Sequence, residues 1–99
     1  MTIAVSTAAH GELERFICCK VEKDELRERE TVFAAPGGRE AVVRQLIGLE
    51  VDLLIAGLLP PSLEEMIGDA GISVISGIRQ VADAPDLVLK KYLDGTLDF

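Results

Sequence analysis

One stretch constrains this chain more than any other: Val51-Asp52-Leu53-Leu54-Ile55-Ala56, an apolar run broken only by one aspartate. It leaves no polar face for water, which suits a strand covered on both sides. Residues 57–61, rich in Gly and Pro, interrupt it. Ser62 and Glu65 then stand in capping-box spacing, so a helix is predicted to start there. Leu63, Met66, Ile67 and Ala70 recur at i, i+3, i+4 and i+7, one buried helix face. Gly71 falls where a left-handed residue would end that helix. Residues 72–75 read as a second short strand closed by Gly77. Strand, helix and strand predict a right-handed crossover joining two parallel strands.

The flanking segments extend this unit. Residues 2–6 and 13–22 are strand-like, and in the second Phe16, Cys18 and Lys20 alternate with Ile17, Cys19 and Val21. Lys23-Asp24 is a two-residue turn into residues 25–34, whose many charges suit an edge strand. After the loop at 35–38, residues 39–48 are predicted helical, with Val42, Val43, Leu46 and Ile47 inward and Gly48 at the end. Residues 78–82 are a loop or first turn. Asp83 is the expected N-cap of a last helix with Pro85 in its first turn. Val88, Leu89, Tyr92 and Leu93 form its apolar side, and Gly95 ends it. The order is β-β-β-α-β-α-β-α. If the first strand pairs with the fourth, an α/β fold follows: a mixed five-stranded sheet ordered 3-2-1-4-5, strand 2 antiparallel, helices on both faces. That is a ribonuclease-H-like three-layer layout.

With 99 residues, 48% of them hydrophobic and none of them Trp, the chain is expected to form one domain (1–99) with an aliphatic core. A net charge of −7 argues against non-specific binding to nucleic acid or to an anionic membrane. No run approaches the roughly 18 apolar residues of a membrane span, and no basic segment precedes an apolar one at the start, so a cytoplasmic protein is expected. Cys18 and Cys19 are adjacent. On a strand they point to opposite faces, so they cannot converge on one metal and read as small core residues. A two-metal nuclease site needs an inward carboxylate in the first strand, and Ile3-Ala4-Val5 offers none. Ser6, Thr7 and His10 lack a carboxylate placed to orient the imidazole, so a catalytic triad is a weak proposal.

In an open α/β sheet, ligands gather beyond the carboxyl ends of the parallel strands. Four loops are expected there: residues 7–11, 35–39, 57–61 and 77–80. They carry the lone histidine, His10, with Arg39 and Arg79, and Glu12 and Glu40 as the only neighbouring carboxylates. Two helix starts add free amides. An anion site is one reading; a plain Gly37-Gly38 turn with solvated arginines is the other.

Ala56-Gly57, Pro60, Ala70-Gly71-Ile72 and Tyr92-Leu93-Asp94-Gly95-Thr96-Leu97 together resemble the dinitrogenase iron–molybdenum cofactor biosynthesis family, over residues 51–97. The resemblance implies the same fold and a non-enzymatic protein that binds or carries an iron–molybdenum-type or other molybdenum–sulfur cluster. It also implies a donor or acceptor protein as partner. Family members commonly carry Ser-x-His-Phe-Gly-Arg in the first loop. Here Ala9-His10-Gly11-Glu12 is shorter, lacks the Phe, and has Glu12 about where Arg is usual. The loop before the first helix keeps Gly37 and Gly38, followed by Arg39, but has no His. The residues expected around the cluster are therefore His10, Gly11, Gly37, Gly38, Arg39, Gly57 and Pro60, with His10 as the one candidate metal ligand. The second functional reading is a member that has lost the cluster and acts through protein contacts on a helix face or the edge strand.

Overall fold

The structure, a computed structural model, describes residues 1–9 and 11–97. Five strands and three helices appear in the expected order: β1 (Thr2–Ser6), β2 (Arg15–Glu22), β3 (Glu25–Phe33), α1 (Arg39–Gly48), β4 (Leu53–Ile55), α2 (Pro61–Asp69), β5 (Ser73–Ile75) and α3 (Pro85–Asp94). A single 3-10 turn, Arg79–Val81, precedes α3. The sheet order is β3-β2-β1-β4-β5. β1 runs antiparallel to β2 and parallel to β4, and β4 runs parallel to β5.

The apolar run lands where its composition requires. Leu53, Leu54 and Ile55 are buried on both faces, between β1 and β5. Asp52, the one polar residue of the run, stands just before the strand, and its carboxylate accepts the Thr2 amide at 2.8 Å. The alternation in β2 divides the core in two. Ala4, Phe16, Cys18 and Leu54 pack beneath α1 and α2, while Ile3, Val5, Cys19 and Ile55 pack beneath α3. Cys18 and Cys19 therefore occupy opposite faces, both buried and unpaired. Lys23 and Asp24 have φ of 52° and 62°, the left-handed pair that a tight hairpin turn demands. All of β3 is exposed except the partly buried Val32, and a register shift opposite Lys20 and Val21 kinks it. Antiparallel pairing of two copies along this edge would set same-face residues opposite each other. Registers centred on Glu28, Arg29 or Glu30 then place like charges together, which protects the edge from itself.

Two helix starts and one buried face depart from expectation. Pro61, not Leu63, begins α2, with Pro60 at the N-cap and no side-chain cap, so the capping box of Ser62 and Glu65 does not form. Proline at the first helical position fixes φ and shifts the start upstream of Ser62. In the same way Pro85 starts α3 with Ala84 at its N-cap, and Asp83 caps nothing. Ile47 is 51% exposed, so the inward face of α1 is Val42, Val43 and Leu46. Gly48 is the last residue of α1, as expected, though it is not the left-handed one. The left-handed residue is Glu50 (φ 57°), where the Glu50 and Val51 amides donate to the Ile47 and Leu46 carbonyls. Gly71 (φ 86°) closes α2 by the same pair of bonds, as expected.

Candidate functional site: the carboxyl edge of the sheet

β1, β4 and β5 are parallel and end together, and β3, two antiparallel steps from β1, ends on the same side. The four loops predicted there do meet. Ser6, buried at the end of β1, accepts the Ala8 amide on its hydroxyl at 3.2 Å and turns the chain outward. The loop then runs alongside residues 57–58: the Leu58 amide donates to the Ala9 carbonyl at 2.8 Å, and the Gly11 amide to the Leu58 carbonyl at 2.9 Å. Gly57 makes that approach possible, since a Cβ there would sit 2.1 Å from the Ala9 carbonyl oxygen. On its other side the Gly57 carbonyl accepts the Gly77 amide at 3.0 Å. Three loops are thus zipped backbone to backbone, with Gly57 at the middle.

The fourth loop stands off from this zip and leaves a cavity of about 290 Å³. Its floor is apolar (Leu13, Val42 and Leu63), and its rim is Glu12, Pro36-Gly37-Gly38 and Arg39. Gly37 (φ 110°) and Gly38 (φ 85°) take conformations that side chains resist, and Gly38 is the N-cap of α1 without a side-chain cap. Arg39 does not face this space as a free cation. Its Nε donates to Glu12 at 2.8 Å, and a second guanidinium nitrogen bonds the same carboxylate oxygen. Nη1 reaches the Ser62 hydroxyl on α2. The hydrogen bond to Glu12 raises the Arg39 pKa further. Of the expected rim of His10, Arg39 and Arg79, Arg39 is thus cancelled by Glu12, which also closes one side of the cavity.

Of the other expected site residues, Gly11 and Gly57 belong to the zip and do not line the cavity, and Pro60 serves as the N-cap of α2. His10 lies outside the described residues. The start of α2 was expected at this site for its free amides; the side chains of Leu13, Val42, Ser62 and Leu63 were not. Their places follow from packing between segments about 25 to 50 residues apart, for which the sequence carries no local signal.

Among the described residues no group of three or more His, Cys, Asp or Glu side chains is placed to hold a metal ion. The cysteines stand on opposite faces of β2, and burial holds both thiols in the neutral form. Burial pushes the Cys19 thiol up to about 11, the adjacent Cys18 adding to the shift, and burial followed by Glu30 raises Cys18. No helix among the described residues is long and apolar enough to cross a membrane.

No known protein family matches the sequence, and no curated protein is significantly similar to it. Solved structures do match. The crystal structure of a protein designated PH0822 superposes with a TM-score of 0.83 at 18% identity, covering 100% of this chain and 96% of the other. A Methanocaldococcus jannaschii protein, mj0327, which carries the provisional name dinitrogenase, superposes with a TM-score of 0.73 at 14% identity, covering 99% and 92%. At such identities the likeness establishes the fold.

Proposed function

We propose that this chain is a nitrogenase-related, non-enzymatic binding protein whose cargo is an anionic metal–sulfur cluster, of the iron–molybdenum type, or a precursor of one. The observation that carries the reading is the cavity at the carboxyl edge, on a chain that superposes end to end with a protein provisionally named dinitrogenase. An apolar floor of Leu13, Val42 and Leu63 suits the soft, polarisable body of a sulfur-rich group, and the uncapped start of α1 offers amides to its charge. Arg39 contributes only after Glu12 releases it. Both residues lie at the surface, where an ion pair is weak, so the exchange of Glu12 for an incoming anion is accessible.

Titration with tetrathiomolybdate tests this. Glu12→Gln frees Arg39 and should tighten binding, and Arg39→Glu should loosen it, each by roughly twofold to fivefold because both charges are solvent-screened. His10→Ala should lose more than either if the imidazole bonds the metal directly. Equal binding by wild type and all variants would place the cargo elsewhere.

A second reading, that the protein acts through protein contacts without a cluster, is favoured by one observation. The Glu12–Arg39 pair leaves the first cavity without net positive charge. Since β3 disfavours pairing with its own copy, a partner on that edge would be a different chain with complementary charges. Failure of wild type to bind thiomolybdate at all would support this reading.

A further inference from the structure

The chain has ten Lys and Arg side chains against seventeen acidic ones. Where the cations go decides where an anion can bind. Lys20, Arg27, Arg29 and Arg39 are taken up in ion pairs with Glu28, with Glu22 and Glu25, with Asp86 and with Glu12. The other six have no ion pair among the described residues, and of these Arg79 and Lys91 come together. Both line one concave space of about 420 Å³ with Gly77, Ile78 and Gln80. No carboxylate lines it. The Lys91 ammonium donates to the Gln80 carboxamide oxygen at 3.4 Å, which turns the lysine toward the 3-10 turn that carries Arg79. That turn is fixed from below by Ile78 and Val81, both buried against α3, and by the Ile78 amide donating to the Ala56 carbonyl at 3.0 Å.

Lys91 alone has a simpler explanation, because a cation in the last turn of α3 offsets the negative end of the helix. That role asks nothing of Arg79. The juxtaposition of a guanidinium, an ammonium and a carboxamide, with no acid among them, is what remains to be explained on so acidic a chain. Such a donor set matches a compact, multiply charged tetrahedral oxyanion: the guanidinium takes two oxygens side by side, the ammonium takes a third.

We propose that Arg79, Gln80 and Lys91 form a binding site for a tetrahedral oxyanion of the phosphate or sulfate type. The site is separate from the Glu12–Arg39 cavity and does not depend on the cluster reading. It lies on the α3 face of the same sheet edge, beyond Gly77, and the zipped backbone at Gly57 stands between the two.

The experiment is titration of the full chain with inorganic phosphate at constant ionic strength, read by backbone amide NMR shifts. Saturable shifts confined to residues 77–80 and 91 are expected. Arg79→Gln and Lys91→Gln should each weaken binding about fivefold, and the double variant about twentyfold. Lys90→Gln, one position along and outside this cavity, should leave it unchanged. Adenosine monophosphate in place of phosphate distinguishes a free ion from the phosphate of a larger molecule; tighter binding would assign the latter source to the same site. Linear, unsaturable shifts, or an equal loss on Lys90→Gln, would overturn the proposal by reducing it to diffuse counter-ion attraction. If Arg79→Gln fails to fold, the charge-retaining Arg79→Lys, expected to bind with a loss of less than fivefold, carries the same test.

Discussion

The cavity on the α1–α2 face has one arginine on its rim, and a glutamate from the first loop already holds it. The cavity on the α3 face has an arginine and a lysine, and no carboxylate reaches either among the described residues. Both open at the carboxyl edge of one sheet, on a chain of net charge −7. The difference teaches that neither net charge nor a count of basic residues near a site predicts its potential. What matters is which acid the fold brings within reach, and Glu12 comes within reach of Arg39 because the loop that carries it is locked against Gly57.

Gly57 is therefore the place to break the comparison. Gly57→Ala forces a Cβ into the Ala9 carbonyl, with the Ala8 oxygen also inside contact distance, and backbone cannot move aside as a side chain can. Stability should fall by about 3 kcal/mol in urea denaturation. Binding at both cavities should fall with it, since the zip carries Glu12 to the first cavity through Gly11 and Gly77 to the second.

The cysteines sharpen the contrast between the two faces. Cys19 is fully buried beneath α3, whereas Cys18 is 7% exposed and lines a shallow cleft with Lys20, Glu28 and Glu30. In the native state Cys18 should react with a thiol reagent before Cys19, and both should lag far behind the urea-unfolded chain. Cys19 also makes stability depend on pH. Its thiol ionises near 9 when unfolded and near 11 when folded, so between those values the unfolded chain has lost a proton that the folded chain keeps. The contribution is full below about pH 9 and is lost as pH rises to about 11, a span on the order of 2 kcal/mol. Comparing wild type with Cys19→Ala across that window isolates it; parallel curves would contradict the burial.

A smaller effect serves as a control. Glu50 sits at the opposite edge of the sheet in a left-handed conformation that costs a non-glycine residue roughly 1 kcal/mol. Glu50→Gly should raise stability by several tenths of a kcal/mol up to about 1. Binding at either cavity should not change, and if it did, the edge would not be the seat of both sites. The smallest expected effect is the change in thiomolybdate affinity on Glu12→Gln. It is also the most specific, because only the first cavity should respond.

Much of the architecture was legible in the residues. A run with no polar face had to lie at the centre of the sheet, the 3.6-residue spacing of Leu63, Met66, Ile67 and Ala70 had to face it, and the alternation in β2 had to send Cys18 and Cys19 apart. These follow from periodicities of the backbone and from the exclusion of apolar surface from water, which act on any chain with that pattern. Helix starts were read less well, because Ser62 and Asp83 look like caps while the neighbouring prolines set the boundary. The loop residues were placed on the right edge, but their partners were not. Arg39 and Glu12 are 27 positions apart, and Arg79 and Lys91 meet across a turn and a helix. A surface charge chooses a partner by distances of a few ångströms, and those are fixed only once the loops have packed. The sequence by itself determined the sheet, its order and its two-faced core. Only the tertiary structure decided which cations are cancelled and which stand free among the described residues, because Coulomb energies depend on separations that no local pattern encodes.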